Sequence, residues 1–301
     1  HYNKPKATVD EVLNALEMDL KAAAELLPET STDGRINKGT AWAYLTQLYM
    51  HWASYPNQAA KLDLAIAVGE HITKNELYRL SSNYQDNFRQ KNKALHSFPT
   101  RRSSDLWNFF HPMKSLYDTF GDDKRRIATL WADGDIIDRG NTKMVYEGAS
   151  SETGYHFNKY TTFTADGKLS FDLLIPLMRS SDVYLLVAEA KIRKFGVGYG
   201  DEEINKVRAR AGSSAIQMAG KDELIKERRM ELAGENRRFF DLVRWDKIGW
   251  VDIAKLLENP DAVYHTDLER INFSSPKNYH FPLPQVEIDK SGGILKQNAN
   301  Y

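Results

Sequence analysis

The chain has 301 residues, enough for a sizeable core as one large domain or two small ones. Its 41 basic residues balance 41 acidic ones, which excludes the broad positive footprint of a nucleic-acid binder. Mean hydropathy is −0.56, and no apolar run approaches the ~20 residues of a membrane helix. The absence of cysteine removes disulfides, thiolate catalysis and cysteine–zinc sites.

Thr8 with Glu11 reads as a capping box. It predicts a helix whose buried face carries Val12, Leu16, Leu20, Ala24 and Leu27 and which Pro28 ends. Residues 30–35 read as a turn. Asn37 is expected to cap a second helix through Tyr55, with Ala41, Tyr44, Leu45, Leu48, Tyr49 and Trp52 inward. A third helix is expected over residues 58–73. Alternation of bulky and small residues across Tyr44, Ala59 and Ala65 resembles a tetratricopeptide pair, in which small residues let neighbouring helices approach. Residues 84–88 read as a loop.

Residues 96–106 fit nothing around them. They have no apolar period, and every residue matches one translated frame of a widely used sequencing adapter. We expect a chimeric join here, which would leave Arg101 and Arg102 without a role. Composition alone would read a basic Pro/Ser loop.

Further on, a short helix is expected over residues 113–120 and a possible strand over 155–160. Asp166-Gly167 marks a hairpin turn. Helices follow over residues 181–194 and 201–211, then one from Asp222 and one from Phe239. The tail from Glu258 is loop-rich. The expected fold is mostly α with minor hairpins.

The chemistry to be expected is thin. No P-loop, dinucleotide fingerprint, nucleophile elbow or zinc-helix motif occurs. His51, His71, His111 and His156 lack ligand spacing. Asp133, Asp135 and Asp138 lack the order of a calcium loop and read as a turn. The stretch from Glu227 to Trp245 (ERRMELAGENRRFFDLVRW) places Glu227, Arg228, Arg229, Glu231, Arg237, Asp241 and Arg244 beside Phe240 and Trp245. Guanidinium neighbours keep carboxylates ionised, so this reads as a structural network and not an acid–base pair. Trp42, Trp52 and Trp245, at helical spacing, read as core.

Four segments in order carry a family resemblance: RSSDVYLLVAEAKIRKFG (179–196), INKVRARAG (204–212), the 227–245 stretch, and FPLPQVEIDKSGGILKQNANY (281–301). Together they resemble the SusD/RagB family, glycan-binding lipoproteins of Gram-negative outer membranes. The resemblance implies a mostly α, SusD-like fold with tetratricopeptide-type helical pairs, minor β-hairpins and long loops. Residues 1–95 would be the helical-repeat portion, 96–106 the adapter-derived insert and 107–301 the C-terminal SusD/RagB-like portion. The chain opens at His1 without a signal peptide, so by this resemblance it is expected to be a C-terminal fragment. The lipid anchor that would hold it on the extracellular face of the outer membrane would then lie outside this chain.

The resemblance also implies oligosaccharide binding and delivery to a SusC-like TonB-dependent transporter, with no catalysis, cofactor, metal or nucleic acid. Sugar rings pack on flat aromatic faces while nearby polar groups pair with their hydroxyls. Trp107, Trp131 and Tyr155, near Asn108, Asp133 and Asn158, are the candidate ligand contacts; core packing is the competing reading for each. Alternatives are a peptide or other nutrient binder of the same fold, a cytoplasmic helical-repeat scaffold, and a glycosidase.

Overall fold

The computed structural model describes residues 4–31, 35–88, 97–102, 111–170, 174–258 and 273–301, with only the backbone of 97–102, 170, 174 and 175. Helix α1 (Val9–Leu26) begins at the expected capping box: the Glu11 amide donates to Thr8 Oγ1 at 3.2 Å, and the Thr8 amide donates to Glu11 Oε2 at 2.7 Å. Thr8→Ala should cost about 1 kcal/mol in urea unfolding, since it orphans a first-turn amide. Leu27, preceding Pro28, is already extended. The buried face of α1 differs in part from expectation. Leu20 packs on the core as expected, but the buried residue is Leu13, and Val12 and Leu16 are exposed.

Helix α2 (Lys38–Trp52) starts at Asn37, whose side chain accepts the Thr40 amide at 3.0 Å. It ends three residues short of the expected Tyr55. Helix α3 (Lys61–Thr73) starts three residues late, because Asn57 takes a left-handed turn (φ 62°). Ala65 is fully buried as expected, but Ala59 is exposed and Tyr44 is half-buried, so those two are not close-approach residues. That role falls to Gly69. A Cβ there would lie 2.3 Å from Val187 Cγ2 and 3.3 Å from Thr46 Cγ2, so its missing side chain lets α3 meet α2 and the later helix α6.

Strand β1 (Ser97–Arg102), within the expected insert, pairs antiparallel with β8 below. A main-chain ladder accepts almost any sequence, so the pairing says nothing of the segment's origin. The 84–88 stretch, expected as a loop, contains a single 3-10 turn that buries Tyr84 and Phe88 against Ala128 and Tyr160.

The middle of the chain holds α4 (Lys114–Phe120), α5 (Arg125–Thr129), β2 (Leu130–Trp131), β3 (Ile136–Asp138), β4 (Lys143–Val145), β5 (His156–Phe157), β6 (Thr162–Phe163), β7 (Leu169–Ser170) and β8 (Leu174–Arg179). They form two-stranded antiparallel pairs: β1 with β8, β2 with β5, β3 with β4, β6 with β7. The β6–β7 hairpin turns at Asp166-Gly167 as expected, with Gly167 at φ 79°. The 155–160 strand shrinks to two residues.

Helix α6 (Ser180–Phe195) is buried all round from Ser180 to Ala190 and forms the axis of the molecule. One side packs on α2 and α3 through Val183, Leu186, Val187 and Ala190. The other packs through Tyr184, Leu185, Ala188 and Ile192 on α7 (Asp201–Ala211) and α8 (Lys221–Glu231). Helices α9 (Arg238–Lys247), α10 (Ile253–Leu257) and α11 (Gln285–Lys290) complete the set. The closing segment fastens to itself: Gln297 bonds both the amide and the carbonyl of Leu283, and Tyr301 donates to the His280 carbonyl. Among the described residues no helix is long and apolar enough to cross a membrane.

His51, in the last turn of α2, is pushed down to about 4 by burial and then by Lys247, Arg244 and His280. The unfolded chain takes this proton first, from the ordinary value of 6.5. Stability from this site is therefore full above about pH 6.5 and declines as pH falls toward 4. His51→Gln should flatten the difference in unfolding free energy between pH 6.5 and 4, read against the unsubstituted protein.

Candidate functional site

The charge-rich segments converge on one buried ion network. Glu231 at the end of α8 is fully buried and faces three guanidiniums: Arg125 at 3.0 Å, Arg179 at 2.7 Å and Arg210. Glu227, one turn earlier, bonds Arg125 at 2.7 Å and Arg208 at 2.9 Å. Arg179 also forks onto Glu235, with bonds of 2.7 and 2.6 Å, and Lys159 joins Glu235 at 2.8 Å. A second branch runs from Asp182 through Arg228 and Asp241 to Arg244, which grips Glu189 with two bonds of 2.8 and 2.7 Å. Arg237 reaches Asp182 at 3.2 Å. The segments at 179, 204 and 227 are thus bolted to one another by their charges.

The electrostatics fit holding, not proton transfer. Burial alone would raise the Glu231 pKa; Arg210, Arg179 and Arg125 outweigh it and hold the carboxyl well below the usual range. Against the same burial, Glu235 is lowered by Arg179 and Lys159, Asp241 by Arg228 and Arg244, and Glu189 by Arg244. A glycosidase needs two carboxyls with pKa values driven apart, and these four all move down together.

Some signature residues stand apart from the network. Arg229 donates to Ser115 Oγ at 2.7 Å. Trp245 is fully buried, with the Arg238 and Arg244 guanidiniums each 5.6 Å from its ring centre. Phe240 is 60% exposed, so its ring is not part of the core that the motif builds.

The candidate sugar platforms need correction. Trp131 is buried with Ile137 and Tyr146 and stacks on His156 at 5.6 Å. Tyr155 is buried with Leu116, Phe120 and Leu130 and stacks on Tyr117 at 5.0 Å. A ring covered by neighbours offers no face to a sugar, so both are core. Trp107 and Asn108 lie outside the described residues. Asp133 accepts the Gly148 amide and Asp135 the Ala132 amide, so the acidic cluster builds a turn. Asn158 donates to the Ile127 carbonyl at 2.7 Å. Exposed rings stand elsewhere: Phe195, Tyr199, Phe239, Phe240, Phe281 and Tyr301. The sequence signal for the first two is the glycine-punctuated run 195–200.

An open cleft of about 600 Å³ lies between the α4–α5 turn, the C-terminal end of α7 and the face of α8. Phe120, Ile216 and Met230 form its apolar lining, and Asp122, Lys124, Asp222 and Lys226 its exposed rim. Among the described residues no three His, Asp or Glu side chains gather as metal ligands would.

The SusD family (SusD_RagB) model matches residues 69–301. The chain belongs to the SusD family. It is similar to a SusD-like protein of Bacteroides ovatus, 26% identical over 308 positions, covering 88% of this chain and 56% of that one. It is 36% identical over 171 residues to the starch-binding protein SusD of Bacteroides thetaiotaomicron, covering 54% of this chain and 29% of that one. Among solved structures, surface glycan-binding protein A of Bacteroides thetaiotaomicron in complex with laminarihexaose superposes with a TM-score of 0.73 at 24% identity, covering 99% of this chain and 72% of that one. The chain thus spans little more than half the length of the Bacteroides ovatus relative. The SusD-like, mostly α fold expected from the four motifs is the fold observed.

Proposed function

We propose that this SusD-family protein binds oligosaccharide on the outer face of the outer membrane, where a lipid anchor would hold it, and hands the ligand to a SusC-like TonB-dependent transporter. The observation that carries the reading is the family match over 69–301, shared with a starch-binding relative. A solved neighbour of the same fold holds laminarihexaose. The downward shift of Glu231, Glu235, Asp241 and Glu189 rules these four out as an acid–base pair. Electrophoresis through gels containing starch or laminarin tests the reading. Retardation relative to a gel without glycan is expected, and unretarded migration of the folded protein in both would overturn it. Co-purification with a co-expressed SusC-like transporter tests the delivery step.

A second reading, a peptide binder, has one observation in its favour: the cleft's rim mixes carboxylates and ammonium groups and carries no exposed ring. Retention of mixed peptides, with no retardation by either glycan, would select it.

We also hold to the reading of residues 96–106 as adapter-derived. A long-read sequence of the parent locus without that segment is expected; a continuous gene encoding it would overturn this reading.

A further inference from the structure

The end of α6, the α6–α7 turn and the α7–α8 loop together carry four large apolar side chains that the core does not use: Phe195, Val197, Tyr199 and Met218, exposed by 50, 52, 61 and 68%. They stand on a fixed base. Gly196 and Gly198 take φ of 107° and 88°, the left-handed region that side chains avoid. The Gly198 amide donates to the Ala219 carbonyl at 3.0 Å. Asp201 accepts the Met218 and Ala219 amides at 2.8 and 2.9 Å and so holds Met218 at φ 56°. A Cβ on Gly198 would lie 3.2 Å from Met218 Sδ, so glycine lets the α6–α7 turn and the α7–α8 loop meet. The Phe195 and Tyr199 rings sit 5.3 Å apart with a 37° tilt. The Lys194 ammonium lies 5.2 Å from the Phe195 ring centre and pairs with Asp63. Exposed Gln217 precedes Met218 in the chain.

The other exposed rings lack this arrangement. Phe239 and Phe240 meet edge to face, and among the described residues no ring pairs with Tyr301 or Phe281. We propose that Phe195 and Tyr199 form a sugar platform that packs on the C–H face of a pyranose ring in the bound glycan, with Val197 and Met218 as its apolar flank. This rests on the glycan-binding reading above. Rigid rings with few rotatable bonds on a pinned turn lose little freedom on binding. Four side chains match one or two sugar units better than the roughly 800 Å² that a stable protein partner covers.

The test is calorimetric titration of the protein with laminarihexaose and maltohexaose, comparing Tyr199→Ala, Phe195→Ala, Tyr199→Phe and, as a control, Phe281→Ala. The first two should weaken binding of at least one sugar about tenfold. Tyr199→Phe should keep most of the affinity, and the control should match the unsubstituted protein. If the protein binds sugar and both alanine variants bind it equally well, the platform is wrong and the function reading stands. If Tyr199→Ala instead loses only a co-purifying transporter, the patch is a protein interface and the proposal falls. If the unsubstituted protein binds neither sugar, the platform and the function reading fall together.

Discussion

Glu231→Gln is expected to lower the unfolding free energy by about 3–5 kcal/mol, the range for removing one partner of a buried ion pair. The carboxylate is fully buried and answers Arg125, Arg179 and Arg210. A neutral amide of the same shape leaves their charge without its counter-charge and turns two acceptor oxygens into one acceptor and one donor. The midpoint of urea unfolding should fall with little change in slope. Glu287→Gln, which removes an exposed pair with Lys290 at 3.2 Å, should shift it by less than about 1 kcal/mol. A Glu231→Gln effect no larger than that control would contradict the network's role. The same group gives an acid limb. Its folded pKa lies below the ordinary 4.5, so the stability it contributes is full above that value and is lost as pH falls through the folded pKa. Glu231→Gln should remove that part of the acid sensitivity.

Gly69→Ala should destabilise by about 2–3 kcal/mol, although alanine is the better helix former by about 1 kcal/mol. The added methyl would stand 2.3 Å from Val187 Cγ2. Val187 is fully buried on α6 and, being β-branched, has no free rotamer in a helix. Combining Gly69→Ala with Val187→Ala removes the clashing atom. The pair should therefore cost less than the sum of the two single variants, a coupling that a double-mutant cycle in urea measures. Strict additivity would mean that the helices do not meet at Gly69.

Local rules were legible in the sequence because their partners are close along the chain. The Thr8 capping box, the Asn37 cap, the Asp166-Gly167 turn and the bounds of α7 each depend on residues a few positions apart. The apolar face of α1 was only partly placed: Leu20 was expected inward and packs there, but its stripe can be continued either through Val12 and Leu16 or through Leu13 at helical spacing. Only packing on α2 chooses between them. Tyr84 and Phe88 escaped notice because a single 3-10 turn is too short to show a period. The structural character of the 227–245 charges was legible. The identity of their partners was not: Arg125 and Glu227 are 102 positions apart. For the ligand surface, a tryptophan or tyrosine in a glycine-rich stretch reads the same whether buried or exposed. Trp131 and Tyr155 found stacking partners in His156 and Tyr117, while Tyr199 was lifted into solvent by its turn.

The measurement that bears most directly on the account is the recovery of laminarihexaose and maltohexaose after prolonged equilibrium dialysis against the folded protein. The account predicts that at least one sugar concentrates on the protein side and is recovered at its original length. Equal concentrations of both sugars across the membrane, or recovery of shorter sugars, would contradict it.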